Sequence, residues 1–494
     1  MISWIKNNRL EAFFIGLIII TALFLRLYRI SDFMTFLGDE GRDVRIVRDL
    51  ITKGNLVFIG PQTSIGNMYL GPLYYYMMAP ALLLSFLNPV GPAVMVALLG
   101  TLTVFLTYFL GRRWFGKWSG LTAALLYALS PVAIIYSRSS WNPNPMPLFT
   151  LLCVWGIYEV WQKKSFKWLP FVGLSFGAAL QMHYLGLLIA PVLGLFWLLT
   201  LKEIKKDKTK EKSFIKSTVI SIFLFLMLMS PLALFDLKHQ GMNFNAFKAF
   251  FSDRQTTINL NPARSDRFLP VIEQSVSDLV LARQSFLPAI VALVLALSFM
   301  YVFAKSKNKA PYILLSAWII TGFVGLGVYK QHVYIHYLGF LYPCVYLILG
   351  ATIGHLISKK FPFYLPWAMA LIFLSAISLI YSPTFQEPSR QLFRTEAAVD
   401  LIIKESKGKP FNFGLIAKQN YDESYRYFLE NKQANLVPGE ERITDQLFVI
   451  CEDGDACQPE GNSKWQIAVF GIAKIDQEWK LDHLRIYRLI HPSQ

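Results

Sequence analysis

The sequence has few charged residues. Asp, Glu, Lys and Arg make up 16% of its 494 residues, whereas hydrophobic residues make up 54%. With a mean hydropathy of +0.40, the chain is too apolar for a soluble globular protein and fits a polytopic membrane protein. Its four cysteines are too few for a disulfide framework. Cys153 and Cys344 lie in apolar runs, while Cys451 and Cys457 could form a local disulfide in an oxidising compartment.

Motifs of soluble enzymes are also missing. The sequence contains no Walker A motif and no HExxH, its GxSxG match at residues 173–177 lies inside an apolar run, and it shows no internal repeat. The absence of a repeat argues against a transporter built from paired halves. The net charge of +16 does not indicate nucleic-acid binding, because the basic residues cluster in short loops between apolar runs, where they set membrane orientation.

The apolar runs predict a topology. The run 12–27 has no cleavage site after it, so we expect an uncleaved first helix whose basic start is cytoplasmic. Further runs cover residues 72–87, 93–110, 119–136, 146–161, 168–182, 184–200, 214–235, 286–304, 310–328, 335–357 and 363–381. Basic connectors at 111–117, 162–167, 202–212, 305–309 and 358–360 are predicted to be cytoplasmic as well.

Successive connectors must alternate between the two sides of the membrane, and this parity excludes one of the apolar runs as a full crossing. If residues 72–87 spanned the membrane, every later basic loop would lie on the wrong side. This run is also only about 24 Å long as a helix, short of the roughly 30 Å hydrocarbon core. We therefore predict a short outer-face or re-entrant helix there. The prediction is a multi-pass cell-membrane protein, mainly α-helical, with eleven spans, a cytoplasmic N-terminus and an extracytoplasmic C-terminus.

The predicted domains follow from this topology. Residues 1–381 form the transmembrane domain, with outer loops at 31–91 and 236–285, and residues 382–390 form a linker. Residues 391–494 are predicted to be a small soluble extracytoplasmic α/β domain, with helices at 394–406 and 421–431. Its predicted strands lie at 411–417, 447–452, 465–472 and 484–490.

The first outer loop carries an adjacent pair of carboxylates, Asp39 and Glu40. The spacing of Val44, Val47 and Ile51 predicts a helix over residues 39–52 that lies in the membrane interface with its apolar side down. Its arginines at positions 42, 45 and 48 would then be free to bind anionic lipid headgroups. A carboxylate pair there is either solvated charge or catalytic machinery.

Other polar and aromatic residues concentrate in the outer connectors. The candidates for substrate binding are Arg42, Tyr74, Tyr75, Arg138, Trp141, Asn142, His183, Tyr184, Lys330, His332, His336 and Tyr337. Ionisable groups at membrane depth are functional candidates by default. The structural alternatives are a helix cap for His183, turn formation for Asn142, and interfacial anchoring for the histidines and aromatic residues.

Six ordered motifs resemble a known family. They are FLGDEGRD (36–43), LGPLYYY (70–76), GRRWFG (111–116), SRSSWNPNPMP (137–147), QMHYLGLL (181–188) and HYLGFLYP (336–343). Together they resemble the GT-C membrane glycosyltransferases, and within them the family of protein O-mannosyltransferases and aminoarabinose transferases, over residues 10–381. One departure is Leu70-Gly71-Pro72, where the aminoarabinose branch typically carries a lysine. A phosphate contact by that lysine would have to come from Arg42 or Lys330 instead.

The resemblance implies an enzyme that moves a hexose or pentose from a polyprenyl-phosphate carrier to a protein, lipid or glycan acceptor on the outer face. It implies inversion at the anomeric carbon, no metal cofactor, and Asp39 as the family's loop acid. A positioned carboxylate is also what an acceptor hydroxyl needs in order to lose its proton, so Asp39 is the predicted base and Glu40 the second choice. The alternatives are a transporter or flippase of lipid-linked sugars and a receptor or assembly subunit.

Overall fold

The computed structural model describes residues 6–63, 68–252, 267–329, 332–452 and 457–492, and it is mostly helical. Its α-helices are Arg9–Leu27, Ile30–Phe33, Gly38–Lys53, Leu73–Leu84, Val90–Phe115, Lys117–Leu129, Pro131–Ile135, Met146–Lys163, Leu169–Met182, Ala190–Ile204, Lys208–Lys238, Met242–Ser252, Phe268–Leu279, Pro288–Lys305, Ala310–Gly327, Tyr342–Leu349, His355–Ile357, Leu365–Ile380, Gln391–Ser406, Glu423–Asn431 and Trp465–Ala468. Tighter 3₁₀ turns cover Phe166–Trp168, Tyr184–Ile189, Ile335–Leu341 and Pro383–Phe385, and Gly350–Gly354 is a π-helical turn. The predicted class, a mainly α membrane protein with a small α/β domain, is confirmed.

The chain divides into two compact units. The first contains Met1–Tyr28, Leu56–Ala81 and Pro92–Glu387, and the second contains Arg29–Asn55, Leu82–Gly91 and Pro388–Gln494. The second unit thus combines the C-terminal domain with the segment that carries Asp39, which the sequence had assigned to the transmembrane domain. The Gly38–Lys53 helix, called the loop helix below, must therefore be understood together with the C-terminal domain.

Seven helical segments of the described residues are long and apolar enough to cross a membrane. They are Arg9–Leu27, Val90–Phe115, Tyr184–Ile204, Lys208–Lys238, Pro288–Lys305, Ala310–Gly327 and Ile335–Ile357. The other four predicted spans are also helical, but their helices are shorter or less apolar. A multi-pass membrane protein is confirmed, and the number eleven stays a prediction.

One ion pair in the first unit fixes the direction of two helices. Glu11, at the start of Arg9–Leu27, accepts a 2.6 Å hydrogen bond from Arg112 Nε and a 2.8 Å bond from the Tyr108 hydroxyl. Both donors lie near the end of Val90–Phe115, so the two helices run antiparallel, as the parity argument requires. The helix between them, Leu73–Leu84, has 12 residues and contains Pro80. At about 18 Å it is too short to cross.

The second unit contains a four-stranded sheet in the order β1-β2-β4-β3. The strands are β1 (Asn412–Ile416), β2 (Gln446–Cys451), β3 (Lys474–Leu481) and β4 (Leu484–Ile490). Strand β1 is parallel to β2, and the other two pairs are antiparallel. Cys451, at the end of β2, forms a disulfide with Cys457. The predicted strands at 411–417, 447–452 and 484–490 are confirmed.

The predicted strand at 465–472 is wrong, because this segment contains the short helix Trp465–Ala468. Ile467 and Phe470, three positions apart, are buried under the sheet, whereas Ile472 is exposed. A short apolar run does not distinguish a helix from a strand. The sequence also missed β3, whose charged residues are mostly exposed, as is usual for a protected edge strand.

Candidate active site

The loop helix begins one residue before the predicted position, and two side chains complete its first turn. The backbone N–H of Leu37 donates to Glu40 Oε2 at 3.0 Å, and that of Gly38 donates to Asn420 Oδ1 at 2.8 Å. Both bonds satisfy N–H groups that a helix leaves without intrahelical partners. Glu40 is 5% exposed. Glu40 thus caps the helix through Oε2, and its role as the second candidate base stays a prediction.

Asp39 occupies the first turn of the same helix with a different environment. Its Oδ1 accepts a 2.6 Å hydrogen bond from the Tyr421 hydroxyl and a 3.0 Å bond from Arg42 Nη1. The side chain is 42% exposed, and Oδ2 accepts no hydrogen bond from any residue in the described part of the chain. Asp39 is thus held through one oxygen and can offer the other to a substrate.

Arg42 connects this carboxylate with a second one. Its Nε and Nη2 donate to Asp43 Oδ1 at 2.9 and 2.7 Å, while its Nη1 also donates to the Tyr421 hydroxyl at 3.1 Å. Asp43 is fully buried, so its charge fixes the guanidinium beside Asp39. We call Asp39, Arg42, Asp43 and Tyr421 the Asp39 cluster.

The capping role of Glu40 predicts a pH dependence of stability. Burial raises the pKa of Glu40 to about 7, whereas an unfolded Glu has a pKa of about 4.3. Between these two pKa values the folded protein keeps a proton on Glu40 that the unfolded chain has released. The contribution of Glu40 to the free energy of unfolding is therefore fully present below about pH 4.3 and is lost as the pH rises to about 7. The side chain of Glu40→Gln does not titrate, so this loss is absent from the variant. As the pH rises through that window, the variant should therefore become more stable than wild type, by on the order of 1 to 3 kcal/mol. Unfolding of both proteins in denaturant between pH 4.5 and 8 measures this.

The exposed Glu440 supplies the control for that measurement, since Glu440→Gln removes a carboxylate from the same unit without a burial penalty. A stability difference between Glu40→Gln and wild type that does not change with pH would contradict the assigned environment of Glu40.

Two glycines let the loop helix approach the Glu423–Asn431 helix, called the domain helix below. A Cβ on Gly41 would lie 2.3 Å from the Ser424 backbone, and one on Gly38 would lie 2.5 Å from the Tyr421 ring. No Cβ tolerates such distances without displacement of its neighbours, so glycine is required where the two segments meet. The separation of 38 and 41 by three positions places both on one helix face.

Ion pairs continue the same contact along the loop helix. Arg45 binds Glu423 at 2.5 Å and Glu430 at 3.1 Å, and Arg48 binds Glu430 at 2.7 Å. Val44 and Val47 are buried by protein. The predicted interfacial helix, apolar side in the membrane and arginines on lipid headgroups, is therefore wrong for this face. An amphipathic pattern indicates that one side of a helix is covered, but it does not distinguish cover by lipid from cover by protein.

In the first unit, the structure brings together five of the predicted residues. The His336 ring lies 4.5 Å from that of Trp141 and 5.8 Å from that of His183, measured between centroids. His183 also stacks on Tyr184 at 4.4 Å and lies 5.1 Å from Tyr337. We call Trp141, His183, Tyr184, His336 and Tyr337 the aromatic cluster. The rings pack on one another in the tilted, edge-on and stacked arrangements that aromatic groups prefer, and the substrate roles of these residues stay predictions.

His183 has a structural contact as well. Its Nδ1 accepts a 3.2 Å hydrogen bond from the Leu185 backbone N–H, which is the capping role weighed from the sequence. This bond assigns Nδ1 as the acceptor, so Nε2 carries the proton in a neutral ring. That N–H is the group that His183 could direct at a substrate.

Other predicted binding residues support the connector 137–145 instead. Arg138 is 2% exposed and donates to the Tyr28 carbonyl at 2.5 Å and to Thr384 Oγ1 at 3.1 Å. Asn142 donates to the Met182 carbonyl at 2.7 Å. These contacts hold the connector to neighbouring segments, and the substrate roles of both residues stay predictions.

Two of the three tyrosines of the LGPLYYY motif, Tyr74 and Tyr75, are buried, whereas Tyr76 is exposed. The Tyr74 hydroxyl hydrogen-bonds Ser140 Oγ at 2.8 Å, and both Tyr74 and Tyr75 are at most 1% exposed. Their predicted role as a platform for a sugar or lipid stays a prediction. The hydrogen bond from Tyr74 links this motif to the 137–145 connector.

Two candidates remain from the 329–337 segment. His332 is exposed and packs edge-on against Tyr334, with centroids 4.7 Å apart. Lys330 lies outside the described residues. Within the described ranges no three His, Cys, Asp or Glu side chains converge as metal ligands would, and independence from metal stays a prediction.

Sequence reasoning missed Tyr421 and Asn420, which contact the start of the loop helix from the C-terminal domain. Both are ordinary polar residues in a turn, 382 positions away from their partners. The signal that could have indicated them is the glycine pair around Asp39 and Glu40, since two glycines on one helix face mark a close approach of another segment.

Comparisons with known proteins agree with this architecture. Residues 70–234 match the family model of dolichyl-phosphate-mannose-protein mannosyltransferase. ArnT from Cupriavidus metallidurans, solved bound to undecaprenyl phosphate, superposes with a TM-score of 0.61 and 11% identity, covering 97% of each chain. The chain has the fold of the GT-C membrane glycosyltransferases.

A second GT-C structure supports the same fold assignment. AglB from Archaeoglobus fulgidus, an oligosaccharyltransferase solved with an inhibitory peptide and a dolichol-phosphate, superposes with a TM-score of 0.56 and 12% identity, covering 90% of this chain and 70% of its own. No curated protein sequence matches the chain. The resemblance to GT-C enzymes of the O-mannosyltransferase and aminoarabinose transferase type is confirmed.

Proposed function

We propose that this protein transfers a sugar from a polyprenyl-phosphate carrier to an acceptor hydroxyl on the outer face of the membrane. The observation that carries the proposal is the Asp39 carboxylate, held through Oδ1 by Tyr421 and Arg42 while the side chain stays 42% exposed. The fold adds the substrate class, because the ArnT and AglB structures that share it contain undecaprenyl phosphate and a dolichol-phosphate. A transporter requires no carboxylate held in this way.

The proposed reaction is a single displacement. The acceptor oxygen attacks the anomeric carbon from the side opposite the lipid phosphate, and the bond between that carbon and the phosphate oxygen breaks. The electron pair of the broken bond leaves with the phosphate, and the acceptor proton passes to Asp39 Oδ2. One displacement from the opposite side inverts the anomeric configuration.

Charge that develops on the leaving phosphate needs cationic or N–H donors. Arg42 is the cation of the Asp39 cluster. In the first unit, Trp141, Tyr184 and Tyr337 would stack on the sugar or prenyl chain, and His183 and His336 would donate to phosphate oxygens. Lys330 and His332 are further candidates for the phosphate. None of these roles requires a metal.

The proposed membrane arrangement has the N-terminus and the basic connectors inside and residues 391–494 outside. It follows the distribution of Lys and Arg among the short loops. The outer face is then the side on which Asp39 receives its acceptor.

The direct test uses the full-length protein in sealed, right-side-out vesicles that contain labelled polyprenyl-phosphate sugars of several kinds. Membrane-impermeant peptide and glycan acceptors should become labelled when added outside, with the carrier losing sugar at the same rate and with no effect of a chelator. Transport of intact lipid-linked sugar without labelling of any acceptor would identify a flippase and overturn the proposal.

A further inference from the structure

The C-terminal domain contributes a side chain that contacts the proposed base. Tyr421 is located in a turn just before the domain helix, and its hydroxyl donates to Asp39 Oδ1 at 2.6 Å. Its ring lies against Gly38, where a Cβ would come within 2.5 Å of the ring carbons. Tyr421 therefore reaches Asp39 only because the preceding residue of the loop helix lacks a side chain.

We propose that Tyr421 is the positioning residue for Asp39, and that the C-terminal domain is in this way a functional part of the proposed sugar-transfer site. The proposal rests on the function proposed above. It assigns a role to a domain whose sequence contributes little to the family resemblance.

The hydrogen-bond pattern fixes the direction of the Tyr421 proton. Arg42 Nη1 lies 3.1 Å from the Tyr421 oxygen, and a guanidinium can only donate. The hydroxyl therefore accepts from Arg42, and its single proton is directed at Asp39. Burial, together with the bond to the Asp39 carboxylate, raises the pKa of Tyr421 well above its usual value, so the proton stays on the phenol at any physiological pH.

This arrangement orients one oxygen and leaves the other for chemistry. With Oδ1 bound by Tyr421 and Arg42, rotation of the carboxylate about its Cβ–Cγ bond would break both hydrogen bonds. Oδ2 is then the oxygen available to an acceptor hydroxyl. A base held in a fixed orientation avoids the loss of reaction rate that comes with an ångström of misplacement.

The rest of the contact keeps Tyr421 in place. Asn420, the preceding residue, accepts from the Gly38 N–H at 2.8 Å and donates to Glu452 at 2.8 Å. Arg45 and Arg48 bind Glu423 and Glu430 of the domain helix. The hydroxyl of Tyr421 is thus positioned by backbone and ionic contacts that do not depend on it, and removing it should leave the interface intact.

The test compares two tyrosines of the same turn and helix in the full-length protein. Tyr421→Phe removes only the hydroxyl at Asp39. Tyr425→Phe removes a hydroxyl that donates to Glu452 at 2.8 Å. Neither Tyr425 nor Glu452 belongs to the Asp39 cluster. We expect Tyr421→Phe to lower kcat about tenfold, the effect of one lost hydrogen bond to a charged group, with KM for the donor and the unfolding temperature unchanged. Tyr425→Phe should keep the wild-type kcat.

Three results would overturn the proposal. A wild-type kcat in Tyr421→Phe shows that the hydroxyl does not position the base, and a raised kcat shows that it obstructs the acceptor. Equal losses in both variants, following a drop in unfolding temperature, show that the domain acts only through its stability. Absence of transfer by the wild-type protein is a different result, since it removes the proposed function itself.

Discussion

Asp39→Asn should reduce sugar transfer about 10²- to 10⁴-fold, the usual contribution of a positioned general base. The substitution is nearly isosteric, and the amide oxygen can still accept the hydrogen bonds that Oδ1 receives from Tyr421 and Arg42. The loop helix should therefore keep its place, while the group that takes the acceptor proton is lost. Single-turnover transfer from a labelled carrier measures the chemical step separately from donor binding.

Asp49 provides a matched control on the same helix. It accepts from Arg48 at 2.8 Å and from Lys53 at 2.9 Å, and the described structure gives it no contact with the Asp39 cluster. Asp49→Asn should transfer sugar at close to the wild-type rate. If Asp39→Asn does the same while unfolding at the wild-type temperature, Asp39 is not the base.

The features that could be predicted from sequence are those encoded locally. The spacing of Val44, Val47 and Ile51 predicts the loop helix to within one residue at each end, because it shows the helical period. In the structure Gly54 ends this helix in a left-handed conformation. The acid pair was recognised from its position after the first apolar run and from the surrounding motif. The antiparallel direction of the first two long helices follows from the distribution of basic residues alone.

The features that could not be predicted depend on contacts between distant segments. Nothing near Tyr421 in the sequence indicates a partner 382 positions away, and the loop helix has the pattern of a lipid-facing helix although protein covers Val44 and Val47. Composition also did not indicate which of the predicted residues make structural contacts. Arg138 lies in the 137–145 connector and Tyr74 in the Leu73–Leu84 helix, and the polar atoms of both hold backbone and side chains in place.

Gly41→Ala should destabilise the second unit and reduce transfer together. In an unpacked helix this change stabilises by up to about 1 kcal/mol, because alanine is the better helix former. Here the added Cβ would lie 2.3 Å from the Cα and N of Ser424, which are backbone atoms and cannot rotate away. Overpacking of this kind costs about 1 to 3 kcal/mol. This cost exceeds the gain in helix propensity, so the substitution should destabilise the protein.

The same displacement predicts the loss of activity. Relieving the contact requires the loop helix and the domain helix to separate by on the order of an ångström, which moves Asp39 away from Tyr421 and can cost about 10²-fold in rate. Ser424→Gly should not rescue the variant, since the clashing atoms are backbone. Thermal unfolding and transfer assays on the same preparations measure both effects.

Gly16→Ala is the control for this prediction, because Gly16 lies inside the Arg9–Leu27 helix with nothing within 4 Å of an added Cβ. It should be at least as stable as wild type and transfer sugar at the wild-type rate. A Gly41→Ala protein with wild-type stability and activity would show that the loop helix does not need its close contact with the domain helix. The C-terminal domain would then lose the structural reason for its place beside Asp39.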